Sequence, residues 1–259
     1  MMRFPLRLAA DLAWASLAQK LRPAQAAGSI QFVAAAEILH HDSSHPVSHE
    51  RIREINSSRS PIVWIGGSEP LRHPGISHLV RAITQTGHFV FLETDGTLIR
   101  QRIHEFQPVP RLFLTVRLEP GAQGRVAEGL RQRALELAAE GMRAALLSGF
   151  LICVHARVHA ETERETMAGL IQYARSTDVD GIVITTANGE SNSSSPNAMA
   201  VQQKTEEARR LIGSKWWESF SRAVEPALIS QGGAARVTAQ SGVRLAEESQ
   251  ADEEGVRIA

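Results

Sequence analysis

"IVWIGGSEPLRHP", Ile62 to Pro74, sets an apolar run against two glycines, followed at once by a Ser, a Glu and a Pro. A short apolar run rich in β-branched and aromatic residues and closed by Gly and Pro reads as a buried strand that stops abruptly. The next stretch, "GISHLVRAITQT" (75–86), carries apolar residues at helical spacing. Strand, tight turn and helix together make one βα unit, and the polar residues sit where the strand ends.

The same alternation runs in both directions from this unit. "SIQFVAAAE" (29–37) precedes it as a first strand, with "SHERIREIN" (48–56) as its helix. "HFVFLET" (88–94) follows with "GTLIRQRIHEF" (96–106), and then come "PRLFLTVRL" (110–118), "FLICVHARVH" (150–159) and "VDGIVITTA" (179–187). Helices are expected near 123–148 and 161–176. Six βα units predict a parallel sheet wrapped by helices, either an open doubly wound sheet or a partial barrel, with ligands at the carboxyl ends of the strands. At those ends lie His40 and His41, Ser68 and Glu69, Thr94 and Asp95, Arg117, His155 and His159, and Thr185 and Thr186.

Three flanking segments complete the chain. Residues 1–29 hold an amphipathic helix, with Leu8, Leu12, Ala15 and Leu21 at helical spacing and Trp14 on its flank, followed by a linker. Its two readings are packing onto the body and lying on a membrane surface. Residues 188–230 contain the turn-rich linker "NGESNSSSPN" and then a helical pair in which Trp216 and Trp217 are available as anchors. Residues 231–259 are polar, acidic toward the end, and expected to be disordered.

In 259 residues, 28 Lys and Arg balance 28 Asp and Glu. A neutral chain has no basic surplus to recruit nucleic acid, so a small-molecule ligand or a partner enzyme is favoured. The single cysteine, Cys153, excludes an intrachain disulfide and fits a reducing cytoplasm. Within "GFLICV" it reads as a buried hydrophobe.

"GGSEPLRHPGISHLVRAITQTGHFVFLETDGTLI" (66–99) resembles the second and third βα units of the radical S-adenosylmethionine (SAM) superfamily. Members typically carry Gly-Gly-Glu-Pro-Leu-Leu-x-His-Pro here and Thr-Asn-Gly after the next strand. This chain has Gly67-Ser68-Glu69-Pro70 and Thr94-Asp95-Gly96 in the same order and spacing. The resemblance implies an α/β fold, a radical-SAM-like partial TIM barrel of about six parallel βα units over residues 30–187. It also implies that Gly66, Gly67 and Ser68, with Glu69, Thr94 and Asp95 nearby, receive the amino-acid end of SAM. A strand-terminating turn is the other reading of the glycines. If they hold the ligand, Gly67→Val is expected to block binding while leaving the melting temperature nearly unchanged.

The chain departs from this family where the chemistry begins. Members bind a four-iron cluster through Cys-x-x-x-Cys-x-x-Cys after strand one, and here that region reads "AEILHHDSSHPVSHERI" (36–52), without a cysteine. Thiolates are the usual ligands of such clusters, so an iron–sulfur cluster held by this chain is not expected. His40, His41, Asp42 and His45 offer imidazole and carboxylate donors for zinc or iron(II), although their spacing matches no established metal motif. The alternative is a solvated loop with Ser48 capping the next helix.

His155 and Arg157 alternate with apolar neighbours and face the barrel mouth. There an Arg pairs either with a ligand carboxylate or with a structural carboxylate. Two functional classes follow. One is a cluster-free pseudoenzyme that binds SAM or another small metabolite, or acts as a scaffold. The other is an enzyme, using either non-radical metal chemistry at the histidine-rich loop or a cluster supplied by a partner.

Overall fold

The computed structural model describes residues 4–21, 30–35, 49–120, 128–187 and 196–229. Within them, helix α1 (Leu6–Leu21) precedes β1 (Ile30–Ala34), α2 (His49–Ser57), β2 (Ile62–Gly66), α3 (Ile76–Gln85) and β3 (Phe89–Thr94). Then come α4 (Ile99–Arg102), β4 (Leu112–Leu118), α5 (Glu128–Leu147), β5 (Leu151–Val158), α6 (Arg164–Ser176), β6 (Gly181–Thr186) and α7 (Pro196–Leu211). A last helix, α8, spans 215–229. The expected helix over 96–106 is shorter than its pattern suggests, since α4 gives way to a 3₁₀ turn at Ile103–Glu105.

The six strands form one sheet in the order β1-β2-β3-β4-β5-β6, and every neighbouring pair is parallel. Sequential order without a reversal rules out the doubly wound alternative, and the sheet curls into a half-barrel with helices around it. β2, β3 and β6 are buried at every position, as expected of parallel strands covered on both faces.

One face, carrying Val90, Leu92 and Val116, meets the crossover helices. Gly96 lies so close to Ala138 of α5 that an added Cβ would overlap it. The other face is the barrel interior. Its lower layer is a stack of Trp64, Phe91 and Phe113 on adjacent strands, with ring centroids 5.3 and 4.6 Å apart and planes parallel within 1°. Helix α8 lies against that layer. Phe220 sits 5.1 Å from Phe91, Trp217 sits 6.2 Å from Phe113, and Phe4 packs on both at 5.8 and 4.9 Å.

Helix α8 also closes the edge of β6. Ser221 Oγ accepts from Ile184 N at 3.1 Å and Glu225 Oε1 accepts from Thr186 N at 2.8 Å, while Arg209 of α7 donates to Ile184 O at 2.9 Å. These bonds pair backbone groups that an edge strand otherwise leaves exposed. The tryptophan pair therefore anchors asymmetrically: Trp217 is fully buried, whereas Trp216 is 56 % exposed. No helix among the described residues is long and apolar enough to cross a membrane. The tail 231–259 lies outside the described residues.

Candidate functional site

Two polar networks occupy the carboxyl ends of the strands, and the "GGSEP" turn belongs to both. The first is centred on Glu69. Its Oε1 accepts from Leu71 N (3.0 Å) and Thr94 Oγ1 (2.8 Å), and its Oε2 accepts from Asp95 N (2.8 Å). Thr94 Oγ1 in turn accepts from Gly96 N, and Asp95 Oδ1 accepts from Thr97 N. Glu69 thus caps the short 3₁₀ turn Pro70–Arg72 and ties the end of β2 to the end of β3. Burial raises its carboxyl above the usual range, and these hydrogen bonds offset only part of that shift.

The second network lies inside the barrel around Glu93, whose side chain is fully buried. Its Oε2 accepts from Trp64 Nε1 at 3.1 Å, and its Oε1 meets His155 Nδ1 at 3.0 Å and Arg157 Nη2 at 3.2 Å. Arg117 Nη1 is 3.9 Å away and donates to Gly67 O at 3.0 Å. Glu119, at the outer rim, lies 3.4 Å from Arg157 and 3.8 Å from Arg117. Burial alone would raise the Glu93 carboxyl, but the hydrogen bond from His155, together with the charges of Arg157 and Arg117, holds it well below the usual value.

His155 is also fully buried, and burial lowers its pKa more than Glu93 raises it. A neutral ring fits both of its contacts: Nδ1–H donates to Glu93, and Nε2 accepts from Thr185 Oγ1 at 2.8 Å. Two guanidiniums, two carboxylates and a neutral imidazole give a balanced cluster. Arg117 and Arg157 therefore serve as structural ion-pair partners, the second of the two roles open to an arginine at this mouth.

The glycines have structural reasons to be glycine. A Cβ at Gly66 would collide with the Glu93 carboxylate, so the empty position makes room for that side chain. Gly67 has φ +99°, which side-chain-bearing residues rarely adopt, and no atom lies within 4 Å of where its Cβ would stand. The expectation that Gly67→Val would leave the fold intact is corrected by that torsion angle. Gly67 and Ser68 are exposed, Glu69 and Asp95 are partly buried, and Thr94 is buried with its hydroxyl already engaged.

His40, His41, Asp42 and His45 lie outside the described residues. Among the described residues no group of three or more His, Cys, Asp or Glu could hold a metal ion. Cys153 sits mid-strand in the register row that joins Thr115 and Gly181, fully buried. Burial, aided by the charge of Asp180, pushes its thiol well above the usual value. One protonated, inaccessible thiol does not fit a four-iron cluster, which needs several thiolates converging at a strand end.

Sequence reading missed Glu93, although a signal was present: it is the lone charge inside "FVFLET" (89–94), on the same alternation as Phe89 and Phe91. A carboxylate at a core position of a strand requires buried cationic or N–H partners.

By sequence, the chain matches no protein-family model and none of the curated proteins. By structure, it is similar to SuiB of Streptococcus suis bound to the precursor peptide SuiA, with a TM-score of 0.51 and 13 % identity over 82 % of this chain and 50 % of that one. SuiB bound to S-adenosylmethionine gives 0.49 and 12 % over 72 % and 45 %, and archaeal TYW1 gives 0.40 and 12 % over 78 % and 60 %. The chain spans about half the length of the structures it matches. At this identity the likeness to the SuiB–SuiA complex shows the fold alone: a radical-SAM-like partial barrel.

Proposed function

We propose that this chain is a cluster-free member of the radical-SAM-like barrels, acting as a binding or scaffolding protein rather than a radical enzyme. The observation that carries this reading is the thiol inventory: Cys153 is the chain's only cysteine, and it is fully buried within a strand. No reductive cleavage of SAM can start on ligands from this chain alone. The packing of the interior supports the same reading. Trp217 and Phe220 pack against Phe113 and Phe91 in the lower layer of the barrel interior, so a ligand inside the barrel would sit at the strand-end mouth.

The ligand we assign to that mouth is SAM or a related small metabolite, held by backbone groups of Gly66, Gly67 and Ser68 beside Thr94 and Asp95. SuiB, of like fold, has been seen with SAM bound, which makes this ligand the first to test. Without an iron to chelate its amino and carboxylate groups, SAM would rest on neutral hydrogen bonds of about 0.5–1.5 kcal/mol each, giving roughly micromolar to millimolar affinity. Calorimetric titration with SAM and S-adenosylhomocysteine is the direct test. No heat at millimolar SAM would reject the SAM site and leave the scaffolding role. Anaerobic reconstitution with iron and sulfide should yield neither four-iron absorption nor 5'-deoxyadenosine, and finding both would reject the cluster-free reading.

A further inference from the structure

Helix α1 is apolar on two sides, and only one of them is packed. Leu8 and Ala9 are buried, Leu12 packs against the core, and the preceding Phe4 is held among Trp216, Trp217 and Phe220. On the opposite stripe Leu6, Ala10, Ala13 and Trp14 follow one another at helical spacing, and all are exposed, Leu6 at 86 % and Trp14 at 73 %. An ordinary surface helix carries polar residues there. Among the described residues nothing covers this stripe.

Beside it opens a groove of about 380 Å³ between the start of α1 and the amino-terminal end of the barrel. Its walls are largely apolar, formed by Pro5, Leu6, Phe89, Val109 and Pro110. Its only charged residues are Arg7 and Arg111. The bias extends along the segment: residues 1–22 contain Arg3, Arg7, Lys20 and Arg22 against the single acid Asp11, in a chain whose net charge is zero.

We infer that α1 and this groove form a docking surface for an anionic phospholipid bilayer, with Leu6 and Trp14 entering the acyl boundary and Arg7 facing the phosphates. A bilayer offers an apolar layer directly beneath a negatively charged one, matching an apolar stripe flanked by basic residues. Trp is favoured at that boundary, where its ring is wet at one end and buried at the other. A second copy of the chain fits less well. A twofold contact through this stripe would bring like-charged arginines together, and four side chains fall far short of the ~20–30 residues per partner of a stable interface. The inference is independent of what the strand-end mouth binds.

The test is sedimentation of the full chain with vesicles of phosphatidylcholine containing about a third phosphatidylglycerol, beside vesicles of phosphatidylcholine alone. The chain should sediment with the anionic vesicles, much less with the neutral ones, and should be released as salt rises toward about 0.5 M. Leu6→Ser with Trp14→Ser should lower partitioning about tenfold, and Arg7→Glu should lower it by a smaller factor. Both side chains of the double variant are exposed, so an unchanged melting temperature certifies its fold. Trp14 should also blue-shift on binding, a change lost in Trp14→Phe. Absence of binding to anionic vesicles, undiminished binding of the double variant, or a lipid-free dimer that the double variant disperses would each overturn the inference.

Discussion

Glu93 and His155 are 62 residues apart in sequence and 3.0 Å apart in space, and neither is exposed to solvent. Each holds the other in one protonation state: the ionised carboxylate fixes the proton on Nδ1, and the N–H helps to keep the carboxylate ionised. Arg157 and Arg117 complete the arrangement from β5 and β4.

The pH dependence of stability follows from this cluster. Both groups have folded pKa values below their unfolded ones, Glu93 well below the usual carboxylate value and His155 below the ordinary histidine value. The unfolded chain therefore binds more protons in acid, and their contribution is fully present above about pH 6.5 and declines as pH falls. His155 accounts for the first loss, and Glu93 for the loss from about pH 4.5 downward. Urea unfolding at a series of pH values should show this decline. Glu93→Gln should lower stability at pH 7 by roughly 3–5 kcal/mol and flatten the acid limb, because Arg117 and Arg157 lose the charge that balances them.

The two glycines should respond differently to alanine. Gly67→Ala meets no neighbouring atom but forces a side chain onto φ +99°, so a loss of about 1–2 kcal/mol is expected. Gly66→Ala drives a methyl group into the Glu93 carboxylate, so its loss should approach that of Glu93→Gln. Thermal unfolding of the two variants checks the order. Glu93→Gln combined with Gly66→Ala should cost less than the sum of the two, since both disturb one contact.

Trp217 should rank among the most costly side chains to remove. Its ring occupies the space left by Gly181, and it is fully buried against Phe113 and Phe4. Trp217→Ala should destabilise by roughly 3–5 kcal/mol in denaturant titration. Trp216→Ala, at a half-exposed neighbour, should cost much less.

Cys153 should be silent to thiol reagents in the native protein. It is buried and its thiol is pushed well above the usual value, so modification requires unfolding. Alkylation followed by mass spectrometry should give negligible labelling in buffer and complete labelling in denaturant. Rapid native labelling would contradict the packing of β5.

Much of the fold was legible in the sequence because parallel strands buried on both faces appear as short apolar runs, and Gly, Pro and Asp mark their ends. The run from Ile62 to Gly66 and the turn at Glu69 announced a βα unit, and repetition announced the sheet. The count of thiols was legible too: the sequence carries one cysteine, fewer thiolates than a four-iron cluster ordinarily takes. Periodicity does not report strand order, however, and only the sequential pairing from β1 to β6 separated a curled half-barrel from a doubly wound sheet. Nor does it report which chain segment covers an open face: the "KWW" stretch offered an anchor, and tertiary packing sent Trp217 over Gly181 and left Trp216 half-exposed. The Glu93–His155–Arg157 cluster is likewise a tertiary product. A buried charge is stable only where strands distant in sequence bring it counter-charges and donors, and those strands meet only when the sheet curls.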